Sequence, residues 1–294
     1  MFRFVAAEKA NFSVATMCRV LGVSRSGFYA WARRPACTRE RANAALAREI
    51  RRVHSQSDAT YGWRRVHAQL LREGHEVNHK RVERLMRSER LAGAHVRRRR
   101  RAGDGPLGVE GVRAWPDLVG RDFQPAAPNQ LWCADLKQIP TDEGVLHLAS
   151  VLDCFSRRIV GWQMGPVADS ELVAGALEMA VARRRPGDGL VHHSDRGTQY
   201  TALAFGHTCR QAAIAQSNSR PGSPHDNAVK ESFFATLAKE RLRGRRYATH
   251  ARARSAIFEY IEGWYNPRRL HSTLGYRSPD EAEGDYHRHA ARAA

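Results

Sequence analysis

Three acidic residues stand in separate, distinctive contexts: Asp135 in LWCADLKQI, Asp195 in HHSDRGTQY and Glu231 in SPHDNAVKESFFATL. Fifty-nine residues separate the first pair and 35 the second. Carboxylates brought together repel one another unless divalent cations occupy the site. A trio that converges therefore points to a metal-dependent phosphoryl-transfer centre. Taken singly, each has a dull reading. Asp135 ends a strand, Asp195 opens a turn before Gly197, and Glu231 is a helical surface residue. The flanking residues shift the balance. Asp135 follows the apolar run Leu131, Trp132, Cys133 and Ala134, so a strand delivers its carboxylate to a sheet, and Asp195 follows Val191 in the same way. Glu231 lies beside Phe233, Phe234 and Leu237, which give its helix an apolar surface to dock on that sheet.

The elements around these residues read as strands alternating with helices. Strands are expected over 131–139, 145–152 and 158–164, the last two joined through the 153–157 turn. A helix over 170–184 follows, with Leu172, Val173, Ala176, Leu177 and Ala180 inward, and then a short strand over 189–193 running into Asp195. Another helix is expected over 200–213. The prolines and glycine of 219–224 make a loop, and a long helix over 226–243 carries Glu231, with Asp226 as its N-cap. Three antiparallel strands followed by strands interleaved with helices imply an α/β domain, a mixed sheet flanked by helices.

The substrate class comes from charge. The 294-residue chain carries a formal net charge of +18. Residues 1–100 hold 23 Lys/Arg against 8 Asp/Glu, whereas the remainder holds 25 against 22. A polycationic front third predicts a polyanionic partner, most often nucleic acid. That third is read as all-α. Residues 13–33 form a helix-turn-helix, with Val14, Met17, Cys18 and Leu21 on one face, Gly22 at the turn and Ser24 capping a second helix that carries Arg25. A second helical unit spans 43–92, broken at Gly74, with Asn78 as an N-cap. In its last helix Lys80, Arg84 and Arg87, with Arg81 beside them, form a basic face opposite Val82, Leu85 and Met86. Arg97, Arg98, Arg99, Arg100 and Arg101 then open a Gly-rich basic linker. Domain boundaries are set at 1–40, 41–95, 96–120 for the linker, and 121–285 for the catalytic core.

Other classes find no support. The five cysteines form no CxxC pair and no zinc-finger spacing, and are read as buried reduced thiols. No apolar stretch reaches 18 residues and no signal-peptide core is evident, so no membrane association is expected. The protein is expected in the bacterial cytoplasm, associated with the nucleoid.

Further blocks carry a resemblance: LDCFSRRIVGW (152–162), YNPRRLHSTLGYRSP (265–279) and YGWRRVHAQLLREGHEVNHKRVERLM (61–86), together with the three acidic contexts. In this order they resemble orfB-type transposases of the insertion-sequence-three family, within the DDE transposase and retroviral integrase catalytic-core superfamily. The likeness spans roughly residues 13–280, and the 35-residue spacing before the glutamate is that superfamily's hallmark. It implies an RNase H-like fold for the core. It also implies that Asp135, Asp195 and Glu231 hold two Mg²⁺ ions (Mn²⁺ substituting), with Asp135 bridging, for DNA end cleavage and strand transfer of an insertion sequence. The implied partners are the double-stranded terminal inverted repeats of the element and the target DNA. A homo-oligomer on DNA is implied too, as is the frameshift fusion to an upstream frame in which such proteins often work. One position departs from the pattern. Seven residues after the glutamate, where the family commonly places Lys or Arg, stands Ala238, with Lys239 next to it. Lys239, Lys230 and Arg241 are the cations available to substitute. Two rivals stay open: a decayed, non-catalytic DNA-binding repressor of the element, and an RNase H-like nuclease acting on RNA–DNA hybrids. Asp153 is assigned a structural role at its turn. At most one of His192 and His193 faces the acidic site, because neighbours on a strand point to opposite faces. His271 and Tyr265 are divided between DNA contact and packing.

Overall fold

The computed structural model describes residues 1–35, 37–94, 115–219 and 228–293, with only the backbone described for 228–231. The chain divides into two compact units, 1–92 and 93–294.

The first unit is helical throughout its described residues. Helices α1 (Phe2–Glu8), α2 (Val14–Val20) and α3 (Arg25–Arg33) enclose Val5, Met17, Cys18 and Phe28. Ser13 and Ser24 cap α2 and α3 through their hydroxyls, which accept from the N–H groups of Thr16 and Gly27. Gly22 adopts φ +65 between the two helices, a left-handed turn that costs a residue with a Cβ more. Helices α4 (Thr38–Gln56), α5 (Trp63–Arg72) and α6 (His79–Ser88) follow. Asn78 caps α6 by accepting from Lys80 N–H, as its position predicts, and Val82, Leu85 and Met86 are buried. Cys37 departs from the expectation for the cysteines. It is exposed at the start of α4, where its N–H donates to Glu40, while the other four thiols are buried and all five are free.

The second unit is built on a five-stranded mixed sheet. Strands β1 (Leu131–Thr141), β2 (Gly144–Asp153), β3 (Ile159–Gly165), β4 (Val191–Ser194) and β5 (Ala215–Asn218) lie in the order β3-β2-β1-β4-β5. The first three form an antiparallel meander, and β4 and β5 add parallel to β1. This is the RNase H-like arrangement, preceded in the chain by the all-α unit. Alternation along β1 divides its side chains between two cores. Trp132 and Ala134 face helices α7 (Ser170–Arg184), α8 (Thr198–Thr201) and α9 (Leu203–Gln211). Leu131, Cys133 and Ile139 face helices α10 (Ala228–Leu237) and α11 (His250–Phe258), through Phe233, Phe234, Leu237, Ala253 and Ile257. A strand buried on both faces reads as the near-continuous apolar run seen here. Helix α7 lies so close to β3 that a Cβ on Gly161 would sit 2.2 Å from the Ala176 carbonyl oxygen.

Three sequence expectations need revision. The expected helix over 200–213 is two helices broken at Ala202, which is extended. The segment before 219, given no element in the sequence reading, contains β5. Its four residues, Ala215–Asn218, alternate too briefly to register as a strand, and pairing with β4 supplies what local propensity does not. The long helix over 226–243 is α-helical only over Ala228–Leu237 and continues as a π-helical turn, Ala238–Leu242. Its proposed cap, Asp226, lies outside the described residues. Beyond it, α11 continues through a second π-helical stretch, Glu259–Tyr265, into the short α12 (Asn266–Arg268), and helix α13 (Pro279–Ala293) ends the chain.

Candidate active site

Strand register brings Asp135 and Asp195 together. Strands β1 and β4 run parallel with Cys133 opposite His193. Asp135 and Asp195 each lie two residues beyond that pair, at matching positions on neighbouring strands and of the same parity as Leu131 and Cys133. The face that those residues line is the one on which Phe233, Phe234 and Leu237 of α10 pack, and Glu231 belongs to α10. Both aspartates are half-buried. Asp135 Oδ1 accepts from Leu136 N–H (2.8 Å), and Asp195 Oδ1 accepts from Gly197 N–H (3.0 Å). The second contact is an Asx turn that fixes the carboxylate as the chain leaves β4.

Strand β5 braces the Asp195 segment from the other side. Asn218 Nδ2 donates to the Asp195 carbonyl (2.9 Å) and to Ser194 Oγ (3.1 Å). The buried His193 lies between two hydroxyls, with Nδ1 2.9 Å from Ser217 Oγ and Nε2 3.2 Å from Ser219 Oγ. His192 faces the opposite core, where its ring contacts Tyr200 and Phe205. The two histidines thus divide between the sheet faces as alternation requires.

Two groups sense both aspartates or orient the helix above them, and neither stood out in the sequence. Tyr200, on α8, is fully buried. Burial, then the charges of Asp135 and Asp195, push its phenol well above the ordinary range. Its position five residues after Asp195, within HHSDRGTQY, was the only signal in the sequence. The second is a buried ion pair. Arg269 donates from Nη2 to Glu240 Oε1 (2.7 Å) and from Nε to Glu240 Oε2 (2.8 Å), and Tyr260 Oη donates to Oε2 (2.9 Å). Burial opposes the charge on Arg269, but the hydrogen bonds and charge of Glu240 outweigh it and hold the guanidinium above its ordinary pKa. Glu240 sits in the π-helical turn that continues α10, so this pair anchors the helix downstream of Glu231.

The turn also bears on Ala238. Arg243 N–H reaches back five residues to the Ala238 carbonyl (2.7 Å), the spacing of a π turn. More residues per turn mean less rotation per residue. Lys239 therefore stands closer in azimuth to position 238 than the roughly 100° of an α-helix, and its side chain is exposed. Arg241 is committed elsewhere, to the Ala256 carbonyl and Glu259. The side chains of Lys230 and Glu231 lie outside the described residues.

The remaining candidates separate cleanly. Asp153 is structural: fully buried, it accepts from the N–H groups of Asn129 (2.7 Å) and Phe155 (2.9 Å) and from Trp132 Nε1 (3.3 Å). It pairs with Trp132, three positions along β1 from Asp135, which is roughly 10 Å at strand spacing. Tyr265 packs edge-on against Phe233 and His271, and is buried. In the first unit Arg25, Lys80, Arg84 and Arg87 are exposed, and Arg81 is half-buried with Nε on Asn43 Oδ1. Thr38, Arg39, Asn78, Lys80, Arg81 and Arg84 line an open groove of about 850 Å³ there. Arg97, Arg98, Arg99 and Arg100 lie outside the described residues. No three His, Cys, Asp or Glu side chains among the described residues cluster at metal-binding distances, a set that does not include Glu231. The donor chemistry nonetheless suits a hard divalent cation: two half-buried carboxylates at matching strand positions supply oxygen ligands alone.

Comparison with known proteins names the family. Residues 125–224 match the model of the integrase core domain, 212–279 a second integrase core model, and 40–101 that of an HTH-like domain. The chain is 40% identical over 275 residues to the uncharacterized 31 kDa protein of insertion element IS600 from Shigella sonnei, covering 94% of this chain and 100% of that one. It is 33% identical to the transposase InsF for insertion sequence IS3A of Escherichia coli K12, covering 95% and 97%. It is 37% identical to the transposase for insertion sequence element IS904 of Lactococcus lactis, covering 81% and 93%. Among solved structures, the catalytic core of BIV integrase aligns at 20% identity over 55% of this chain and 99% of that one, with a TM-score of 0.41. The fold assignment rests on strand order instead of that superposition. No helix among the described residues is long and apolar enough to cross a membrane. With an HTH-like unit ahead of an integrase core and full-length relatives among insertion-element proteins, the chain belongs to the IS3 family of integrase-core transposases.

Proposed function

We propose that the protein is a DDE transposase that cleaves the ends of its insertion sequence and joins them to target DNA, with Asp135, Asp195 and Glu231 as the metal-holding residues. The observation that carries this reading is the pairing of Asp135 and Asp195 at matching positions on adjacent parallel strands, on the face packed by the helix of Glu231. Divalent ions, Mg²⁺ or Mn²⁺, would supply Lewis acidity for in-line displacement at phosphorus when held there. The protein's own part is positional. Backbone N–H groups fix one oxygen of each aspartate, β5 holds the Asp195 segment, and the Glu240–Arg269 pair holds the glutamate helix.

DNA is bound by the helical unit. Arg25 and the α6 face of Lys80, Arg81, Arg84 and Arg87 contact phosphates of the terminal repeats. Arg97 to Arg100 track the backbone between units, and Lys230 and Lys239 approach DNA near the site. The protein acts as a homo-oligomer that brings two element ends together, as a fusion with the product of an upstream frame, at the bacterial nucleoid. Ala238 favours the rival reading of a non-catalytic repressor. Against it stand the complete acidic trio and the exposed Lys239 beside position 238.

A labelled element end, taken from the DNA flanking the gene, tests this with Mg²⁺ and a target plasmid. The expected result is end nicking and joining, with both lost by about 10³-fold or more in Asp135→Asn, Asp195→Asn and Glu231→Gln while end binding persists. Binding without joining in the wild type would select the repressor, and digestion of RNA–DNA hybrid alone the nuclease.

A further inference from the structure

Tyr200 is 2% exposed, and its hydroxyl oxygen is buried without a hydrogen-bond partner. Its ring is well accounted for by packing, edge-on to Phe205 at 5.5 Å and tilted against His192 at 6.2 Å. Its oxygen is not. A buried hydroxyl left unpaired costs about 1–3 kcal/mol, and phenylalanine would fill the same space without that cost. The surroundings suggest what the oxygen serves. Helix α8, which carries Tyr200, is capped by Gly197, whose N–H holds Asp195. Asp135 and Asp195 both act on the phenol electrostatically, and together with the larger effect of burial they keep it protonated far above neutral pH. Tyr200 is therefore a neutral O–H donor enclosed next to two carboxylates that only accept.

We propose that Tyr200 is a positioning residue of the acidic site, whose hydroxyl donates to the Asp135–Asp195 pair and holds the carboxylates in the orientation that receives a divalent cation. This rests on the reading of those aspartates as metal ligands. Two like-charged carboxylates on neighbouring strands swing apart unless something occupies lone pairs on the protein side. A buried donor does that while leaving the remaining oxygens directed outward. Groups that orient ligands in this way typically govern metal affinity by about 10–100-fold.

The test is direct Mn²⁺ binding to the full chain without DNA, followed by the loss of the free-ion EPR signal, with Tm measured with and without Mn²⁺. Tyr200→Phe keeps the ring and removes only the oxygen. The expected result is Mn²⁺ affinity weaker by about 10-fold or more, a smaller Mn²⁺-induced rise in Tm, a metal-free Tm equal to or above wild type, and unchanged binding of an element end. Equal Mn²⁺ affinity in Tyr200→Phe and wild type overturns the proposal. So does a fall in metal-free Tm that accounts for the lost affinity, because the hydroxyl would then be structural. Asp135→Asn separates this from the parent reading. If wild type and Asp135→Asn bind Mn²⁺ alike, the metal-ligand assignment itself fails, and Tyr200 with it.

Discussion

The two sides of the acidic site are held by different physics. Asp135 and Asp195 stand on the sheet, where parallel pairing of Cys133 with His193 sets their separation and a backbone N–H orients each carboxylate. Register in a sheet buried on both faces is strongly specified, since a one-residue slip would exchange the two cores. Glu231 stands instead on a helix, whose rotation and axial position no ladder dictates. Those are set by docking: Phe233, Phe234 and Leu237 against the sheet, and the Glu240–Arg269–Tyr260 network beyond them. The sheet side is thus robust by construction. The helix side depends on tertiary contacts contributed by a segment about thirty residues further along the chain.

Substitutions that break one side and not the other should expose this difference. The largest effect on chemistry is expected from Asp135→Asn and Asp195→Asn, which remove joining by about 10³-fold or more. Their Tm should stay close to wild type, because the ladder stays intact. A fall of many degrees in either would refute a register-held site. On the helix side, Arg269→Ala strands a buried Glu240 and should cost about 3–5 kcal/mol, read as a lower denaturation midpoint. Joining should fall with it. The paired change Arg269→Met with Glu240→Leu should regain most of the stability, since a well-packed apolar pair replaces a desolvated one. Failure to regain it would mean that the pair supplies more than anchoring.

Smaller effects sharpen the sheet side. Gly161→Ala drives a methyl into the Ala176 carbonyl of α7 and should cost about 1–3 kcal/mol by overpacking. Chemical denaturation would measure it, and an unchanged midpoint would show that α7 can withdraw freely. The smallest effect is a pH slope. Burial, ahead of any other influence, raises the carboxyl of Asp153 above its ordinary value. The folded state then binds more protons than the unfolded state between the two pKa values. Its contribution is full below the unfolded value and declines as pH rises through the folded one. Stability should therefore slope downward just above the ordinary carboxylate range, and Asp153→Asn should flatten that slope while lowering stability overall.

The site was unevenly legible. The strands of Asp135 and Asp195 announced themselves through dense apolar runs, and α7 through its period of inward Leu172, Val173, Ala176, Leu177 and Ala180. Ser24 and Asn78 were readable as caps because side-chain capping is a local event. Strand β5 was not readable. Its AQSN sequence has no β-branched or aromatic residue, and only the free edge of β4 makes it a strand. The split of the 200–213 helix at Ala202 and the π-helical turn after Leu237 left no local mark either. Arg269 and Glu240 looked like two more surface charges among many, and Tyr200 like a core aromatic.

The sequence alone determined the chemistry available and its medium. It carries three carboxylates in distinct contexts, a front third of strong positive charge, and blocks that identify the family, because residue type and spacing are properties of the chain itself. Tertiary structure alone decided which groups meet. Pairing of distant strands set Asp135 beside Asp195, closure of the sheet on α8 enclosed the Tyr200 hydroxyl next to them, and a buried ion pair tied the glutamate helix to the C-terminal segment. These contacts join residues far apart in the chain, and their energies come from burial and desolvation, which exist only once the chain has folded.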